Sequence, residues 1–305
     1  MNIFISVEAL ISESERQRLP IWELVMRSYC EEFGVGTDEA WQRMSGRLSA
    51  MREADASYDA GQLSRSGLVG GDGERMHVYA RSGGSIGGEF IGEIISAALR
   101  MGECNACMHR IVAAPTAGSC GVLPAVLLPY AKRFGTADDE LIKALFVTCG
   151  FGGVIASRAS TSGAECGCQA EIGSASAMAA AALVFLHGGN NTQMANAVAI
   201  ALKNLMGLVC DPVAGLVEVP CVKRNAIGAM NALSAADMAL AGICSKIPAD
   251  EVIDAMRDVG LSLPAELRET GRGGIAASPT AVRFRDGLFG KKGKLNPHYV
   301  NPFNI

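Results

Sequence analysis

Apolar and polar residues alternate with helical periodicity over most of this sequence. The pattern predicts two or three short helices in residues 1–57, where Ser6 and Thr37 are suited to act as N-caps. Residues at helical spacing form one apolar face of this segment: Trp41, Met44, Leu48 and Met51. We therefore expect an N-terminal helical segment, residues 1–57, packed on a domain of residues 58–305, so that the two form one continuous unit.

Helical periodicity continues through the larger domain. The predicted helices cover 86–101, 122–134, a segment beginning at the capping-box pattern of 136–139, 164–186, 192–208, 220–241 and 250–259. Pro220 is suited to a first helical turn, and Gly260 to the position after a helix end. Apart from Met76–Tyr79, strand-like runs are almost absent. The sequence therefore predicts a mostly α fold, an all-helical catalytic domain.

Two glycine-rich loops separate these helices, GQLSRSGLVGGDG at 61–73 and AAPTAGSCG at 113–121. Hydroxyl groups beside backbone amides that glycine leaves accessible are suited to a small carboxylate, although an ordinary capped turn has the same composition. The candidate binding residues are Ser64, Ser66, Gly67, Thr116 and Ser119. We expect these interhelical loops to form the site.

Composition narrows the class of function. The chain is 49% hydrophobic and carries a net charge of −4, so it can bury a sizeable core but offers no basic field for nucleic acid or an anionic membrane face. The most apolar stretch, 175–186, is shorter than the roughly 20 residues of a membrane-spanning helix, which predicts a buried core helix. Residues 1–10 lack the features of a secretory signal. We expect a cytoplasmic protein that acts on small molecules.

The chain has ten cysteines, and disulfides are rare in a cytoplasmic protein. Some of these cysteines are therefore candidates for metal binding or reactivity. Cys168, Cys210 and Cys221 each adjoin a predicted helix end. A helix N-terminus lowers the pKa of a thiol and prepares it as a ligand for soft metals. The alternative for each of them is a buried small hydrophobic residue.

Other residues indicate competing chemistry less strongly. Cys104 and Cys107 form a CxxC pair, but neither a second pair nor a histidine cluster completes a zinc set. Cys120, at a helix start, lacks a paired histidine base. A pyridoxal-phosphate enzyme needs a Schiff-base lysine and a separate glycine-rich phosphate cup. The eight lysines include no obvious candidate, with Lys223 the one left open, so pyridoxal phosphate is not expected. The four histidines have no supporting motif: His77, His109, His187 and His298.

Five segments together resemble the alpha chain of the iron-sulfur-dependent L-serine dehydratases. They are AAPTAGSCGVLPAVL at 113–127, GAECGCQAEIGSASAMAAAALV at 163–184, CDPVAGLVEVPCVKRNAIGAMNAL at 210–233, SRSGLVGGDG at 64–73 and LRETGRGGIAASPTA at 267–281. The likeness therefore spans nearly the whole chain. It implies an L-serine ammonia-lyase (EC 4.3.1.17), which converts L-serine to pyruvate and ammonia.

The resemblance also implies a cofactor. In that family three cysteine thiolates hold a 4Fe-4S cluster, and the matching positions are Cys168, Cys210 and Cys221. One iron then lacks a protein ligand and acts as a Lewis acid towards the substrate carboxylate and β-hydroxyl. The loop residues Ser64, Ser66, Thr116 and Ser119 are expected to hold the carboxylate and ammonium. No residue of this chain is assigned as the general base. A residue of the partner chain is the alternative.

Several departures from the family bear on regulation and partners. Arg272 stands where many relatives carry an aliphatic or small residue. Single-chain relatives have a regulatory domain before the catalytic part, whereas this sequence begins almost directly with the catalytic region, so we expect a separately encoded beta chain and an oligomer. Some relatives cap the open iron with a cysteine-bearing tail, and the ending KLNPHYVNPFNI lacks cysteine. The open position is therefore expected to be free.

Two rival functions remain at this point. The same scaffold is compatible with an L-cysteine desulfidase, in which a thiolate leaves instead of hydroxide. A non-catalytic zinc or redox module is the other, with Cys104, Cys107, Cys166 and Cys168 as its ligands. Sulfide release from L-cysteine and metal analysis distinguish these rivals from an L-serine dehydratase.

Overall fold

The structure, a computed structural model, describes residues 4–290 as a helical protein. Within that range the α-helices are α1 Val7–Gln17, α2 Ile21–Phe33, α3 Thr37–Ala56, α4 Asp72–Arg81, α5 Gly88–Ala106, α6 Val122–Phe134, α7 Asp138–Arg158, α8 Gly163–Cys166, α9 Ser174–Leu186, α10 Asn191–Asn204, α11 Cys221–Leu240, α12 Ala249–Ser262 and α13 Pro279–Phe289. Residues 4–290 contain no β-strand beyond one bridge between Cys210 and Arg268. The predicted mostly α fold is confirmed. His298 and the cysteine-free ending lie outside the described residues.

Helix α9 lies at the centre of the core. All of its residues from Ser174 to Val184 are buried, and α6, α7, α10 and α11 pack around it. A π-helical turn, Gln169–Gly173, leads directly into α9, so the apolar segment is longer than the predicted 175–186. This segment and α7 are long and apolar enough to cross a membrane, but 83% and 61% of their apolar windows are buried inside the fold. Such burial is typical of core helices.

The N-terminal helices pack on the same core. Trp41 of α3 lies 6.4 Å from Phe146 of α7 between ring centroids, and Gly150 of α7 lets Val25 of α2 approach closely. Buried residues of α1 to α3 belong to one hydrophobic cluster with those of α5 to α7 and α9 to α12. Residues 4–57 therefore share their core with the helices that follow, while the domain boundary at residue 57 stays a prediction.

The helix starts test the predicted caps. Ser6 caps α1 as predicted, since its hydroxyl accepts a hydrogen bond from the Ala9 N–H. The Thr37 cap is wrong, because Gly36 has the extended backbone of the cap position and Thr37 is already helical. The predicted start at Thr136 is also two residues early, since α7 begins at Asp138 after Ala137.

Two further expectations need correction. Met76–Tyr79 is not a strand but part of α4, which packs on α5 where Gly92 allows contact with Ala80. Gly260 does not follow a helix but lies inside α12. A Cβ there would lie 2.6 Å from Cys166 Cβ, so the missing side chain serves helix packing. Helix α13 was not predicted.

Candidate functional site

The structure brings Cys168, Cys210 and Cys221 together. Cys221 is the first residue of α11, Cys168 immediately precedes the π-helical turn, and Cys210 lies in the loop between α10 and α11. All three thiols are free. Burial raises the pKa of Cys168 and Cys221 to about 12, and burial followed by the neighbouring Cys168 raises that of Cys210 further. Cys210 Sγ lies 3.9 Å from Glu171, three residues after Cys168. The Asn225 amide donates to the carbonyls of both Cys221 and Gly118, and Gly118 lies in the loop whose Thr116 donates to Glu171, so the segments that carry the three cysteines meet around Glu171.

This donor set fits an iron-sulfur cluster. Buried thiols with raised pKa are unfavourable as thiolates on their own, and a positively charged metal centre removes that disadvantage. Within residues 4–290, no group of three or more His, Cys, Asp or Glu side chains is placed to hold a single metal ion. A 4Fe-4S cluster offers each cysteine a separate iron, so its ligands need not converge on one point. The zinc set of Cys104, Cys107, Cys166 and Cys168 does require such convergence, and the described residues do not provide it.

A buried glutamate lies beside the thiols. Glu171 accepts a hydrogen bond from Thr116 Oγ1 at 2.6 Å and one from Cys210 Sγ at 3.9 Å. Burial raises the pKa of Glu171, and the bond from Thr116 opposes that shift. A Cβ at Gly163 would displace the Glu171 carboxylate and lie 3.1 Å from Cys210 Sγ, so glycine there leaves room for both side chains. The hydrogen bonds to Glu171 therefore connect the glycine-rich loop 113–121, the second hydroxyl loop, to the segment that contains Cys210. The glycine-rich loop 61–73 is the first hydroxyl loop.

A second buried glutamate holds the first hydroxyl loop. Glu218 Oε2 accepts hydrogen bonds from Ser64 Oγ at 2.9 Å and from Ser66 Oγ. The two serine oxygens lie 3.1 Å apart, and Gly67, with φ of +70°, turns the chain directly after them. Burial raises the pKa of Glu218, and the two serine bonds oppose the shift. Both predicted serines therefore contact a carboxylate that the sequence analysis did not identify.

Glu171 and Glu218 have a common signal in the sequence. Glu171 follows Cys168 by three residues, and Glu218 precedes Cys221 by three, each within an otherwise apolar segment. An acidic residue in such a place needs a partner when buried, so it is a candidate for the site. Ser119 differs, because its hydroxyl bonds within its own turn, to the carbonyl of Thr116 at 3.3 Å.

An ion pair borders the cysteines on the other side. Arg224 Nη2 lies 2.8 Å from Asp211 Oδ1, and the guanidinium is within hydrogen-bonding reach of Cys168. Asp211 also accepts the backbone N–H of Ile275 at 2.8 Å, and a Cβ at Gly274, with φ of +56°, would clash with Asp211. The C-terminal glycine-rich stretch is therefore folded onto the residue after Cys210. Arg272, in the same stretch, is exposed.

The first hydroxyl loop is anchored where it enters α4. Glu103 of α5 is 1% exposed and accepts the backbone N–H groups of Asp72 at 2.9 Å and Gly73 at 3.2 Å. Tyr58 donates its hydroxyl to Glu103 Oε2 at 2.7 Å. A carboxylate at a helix N-terminus satisfies N–H groups that the helix leaves unpaired. Tyr58 and Glu103 thus fix the end of the loop that carries Ser64.

Tyr58→Phe is expected to lower the free energy of unfolding by about 1.5 kcal/mol, because it removes a hydrogen bond to a buried carboxylate. Tyr79→Phe is the matched control, since Tyr79 is 46% exposed on α4. Urea denaturation of both variants measures the difference. Equal stability of the two variants would show that the Tyr58 hydroxyl does not support this loop.

The remaining candidates lie in other environments. Cys104 Sγ lies 3.4 Å from the Ala54 carbonyl, and Cys120 Sγ lies 3.8 Å from that of Met101, as expected for buried packing residues. Lys223 pairs with Asp72 at 2.8 Å and has a side chain that is 68% exposed. The described histidines contact other side chains: His77 with Glu93, His109 with Gln62 and His187 with Tyr130. No general base is identified among these groups.

Comparison with known proteins places these residues in context. Residues 16–276 match the family model described as serine dehydratase alpha chain. A Bacillus subtilis protein named "Probable L-serine dehydratase, alpha chain" is 48% identical over 288 residues, which cover 94% of this chain and 96% of that protein. The "L-serine dehydratase, alpha chain" of Peptoniphilus asaccharolyticus is 40% identical over 90% of this chain and 95% of its own length. The "L-serine dehydratase" of Mycobacterium tuberculosis is 46% identical over 59% of this chain and 40% of its own length.

Proposed function

This chain belongs to the serine dehydratase alpha-chain family, and from that premise we propose that it is an L-serine ammonia-lyase, converting L-serine to pyruvate and ammonia. One structural observation carries the proposal: Thr116 and the Cys210 thiol both donate to buried Glu171, while Ser64 and Ser66 both donate to buried Glu218, three residues before Cys221. The names of relatives that align over almost their entire length support the same activity.

We propose that Cys168, Cys210 and Cys221 hold a 4Fe-4S cluster. When bound, a cluster with three protein ligands supplies a Lewis-acidic iron that polarises the β-hydroxyl of the substrate. Support comes from the burial of Cys168 and Cys210, which keeps these sulfur atoms from bulk water, and from Arg224, whose positive charge favours the thiolate of Cys168. Arg224 keeps that position because Asp211 and the Val209 carbonyl both accept its hydrogen bonds.

The residues of the chain bind the substrate and exclude water from it. Ser64, Ser66 and Ser119 are all buried, so a substrate between the two loops loses most of its contact with bulk solvent. Glu171 orients Thr116, and Glu218 orients the two loop serines. Fixed polar groups in a site of low dielectric stabilise the charges of the reacting substrate more strongly than water does. Elimination is therefore faster in the site than in water.

The assay that tests this activity compares two substrates. The protein, reconstituted with iron and sulfide without oxygen, is supplied with L-serine or L-cysteine, and pyruvate, ammonia and sulfide are measured. We expect kcat/KM for pyruvate formation from L-serine to exceed that for sulfide release from L-cysteine. The opposite order would favour the L-cysteine desulfidase.

We further propose that the chain works in the cytoplasm with a separately encoded beta chain, in an oligomer. The alpha-chain names of the Bacillus subtilis and Peptoniphilus asaccharolyticus relatives support such a partner. Co-expression with a beta chain followed by size-exclusion chromatography tests the assembly. The proposal predicts co-elution and a higher rate of pyruvate formation than the alpha chain gives alone.

A further inference from the structure

The cluster formed by Ser64, Ser66 and Glu218 has no hydroxyl hydrogen left for an anion. Each serine hydroxyl has one hydrogen, and both are directed to Glu218 Oε2. The Ser66 oxygen in addition accepts the backbone N–H of Leu68 at 3.0 Å. What the group still offers is lone pairs: those of the serine oxygens and those of Glu218 Oε1, which neither serine contacts.

The negative charge of this group favours a cation over an anion as its ligand. Glu218 is 7% exposed, Ser64 and Ser66 are about equally buried, and within residues 4–290 no arginine or lysine forms an ion pair with Glu218. A carboxylate brought next to these oxygens would meet a negative charge in a medium of low dielectric. A positively charged N–H donor would instead be attracted, and its hydrogen bonds to a charged acceptor are among the strongest in proteins.

The position of the group relates it to the cysteines. Glu218 lies three residues before Cys221, and Lys223, two residues after it, pairs with Asp72 at 2.8 Å. The first hydroxyl loop is thus fastened to the chain on both sides of Cys221, through Glu218 and through Asp72. A substrate amine held by Glu218 would therefore lie at the start of α11.

We propose that Glu218, together with the oxygens of Ser64 and Ser66, is the subsite that binds the α-ammonium group of the substrate. The inference rests on the proposed function and deepens it, because it names the end of an amino acid that this loop selects. It also narrows the sequence-based expectation, which left Ser64 and Ser66 to hold either the carboxylate or the ammonium. The carboxylate of the substrate binds elsewhere in the site.

Glu218→Gln tests this assignment, because glutamine keeps the shape of the side chain and removes the negative charge. L-Glycerate, which carries a hydroxyl where L-serine has its ammonium, is measured as a competitive inhibitor beside the KM for L-serine. We expect KM for L-serine to rise roughly tenfold or more and Ki for L-glycerate to stay unchanged or fall. The ratio of Ki to KM should therefore fall at least roughly tenfold, while kcat changes much less.

If Glu218 only supports the loop, Glu218→Gln weakens the binding of L-serine and of L-glycerate equally and leaves the ratio of Ki to KM unchanged. That result overturns the assignment. Glu251→Gln, an exposed substitution on α12, is the control for removal of a glutamate charge. Ser66→Ala carries the same test if Glu218→Gln does not fold, with a smaller fall in the ratio. Wild-type protein that makes no pyruvate from L-serine contradicts the proposed function itself, whereas active wild-type protein with an unchanged ratio in the variants contradicts only the ammonium subsite.

Discussion

Cys210→Ala is expected to abolish both cluster binding and pyruvate formation in protein reconstituted without oxygen. In the proposed assignment Cys210 is one of three cluster ligands, so its loss would leave a cluster with two protein ligands and a second iron open to solvent. Loss of the Lewis acid should lower the rate on the order of a thousandfold or more. Absorbance at roughly 400 nm, which reports thiolate-bound iron, and pyruvate release measure the two effects.

Cys166→Ala is the control that gives this result its meaning. Cys166 is buried like Cys210 and lies two residues before Cys168, but it packs on Gly260 of α12. It is also a ligand in the rival zinc module. Retained absorbance and activity in Cys166→Ala would support the three-cysteine assignment. Metal loss in Cys166→Ala with normal metal content in Cys210→Ala would favour the zinc module instead.

Helical periodicity predicted most of this fold because most of its helices bury one face. Two exceptions have different reasons. In α4, Val78 and Tyr79 are 59% and 46% exposed, so the run that looks like an alternating strand is not a buried face. Gly260 looks like a helix stop because glycine is common there, but its contact with Cys166 comes from a segment about 90 residues away in sequence, which no local pattern contains.

The site was predictable to a different degree. The neighbouring helix ends and the resemblance to the family predicted Cys168, Cys210 and Cys221. The two hydroxyl loops were recognisable as glycine-rich segments of the sequence. The buried acids that organise them were not predicted: their spacing of three residues from Cys168 and Cys221 is visible in the sequence, but their hydrogen-bond partners are distant in sequence. Glu218 meets Ser64 across 154 positions, and Glu171 meets Thr116 across 55. These contacts depend on how α5, α6, α9 and α11 pack.

Gly167→Ala is expected to cost about 4 kcal/mol of unfolding free energy and most of the bound iron. Gly167 has φ of +74° and ψ of 178°, a backbone region that is essentially restricted to glycine. Its Cβ would also lie 2.6 Å from Leu263 Cδ1 and 2.9 Å from the Leu208 carbonyl. Strain and overpacking contribute about 2 kcal/mol each. Relief requires movement of the chain next to Cys168.

The iron content of Gly167→Ala separates an effect on the site from an effect on stability. The Leu208 carbonyl that the new Cβ would approach accepts the Gln169 N–H at 2.9 Å, so displacing it moves the residue after Cys168. Gly290→Ala is the matched control, because Gly290 has φ of 60° and ψ of −177° and no atom of the described residues lies within 4 Å of its Cβ position. Thermal unfolding and iron analysis of both variants are compared after reconstitution. Full iron content in a destabilised Gly167→Ala would mean that Cys168 does not depend on this turn, whereas iron loss in that variant alone ties the backbone at Gly167 to the placement of the ligand.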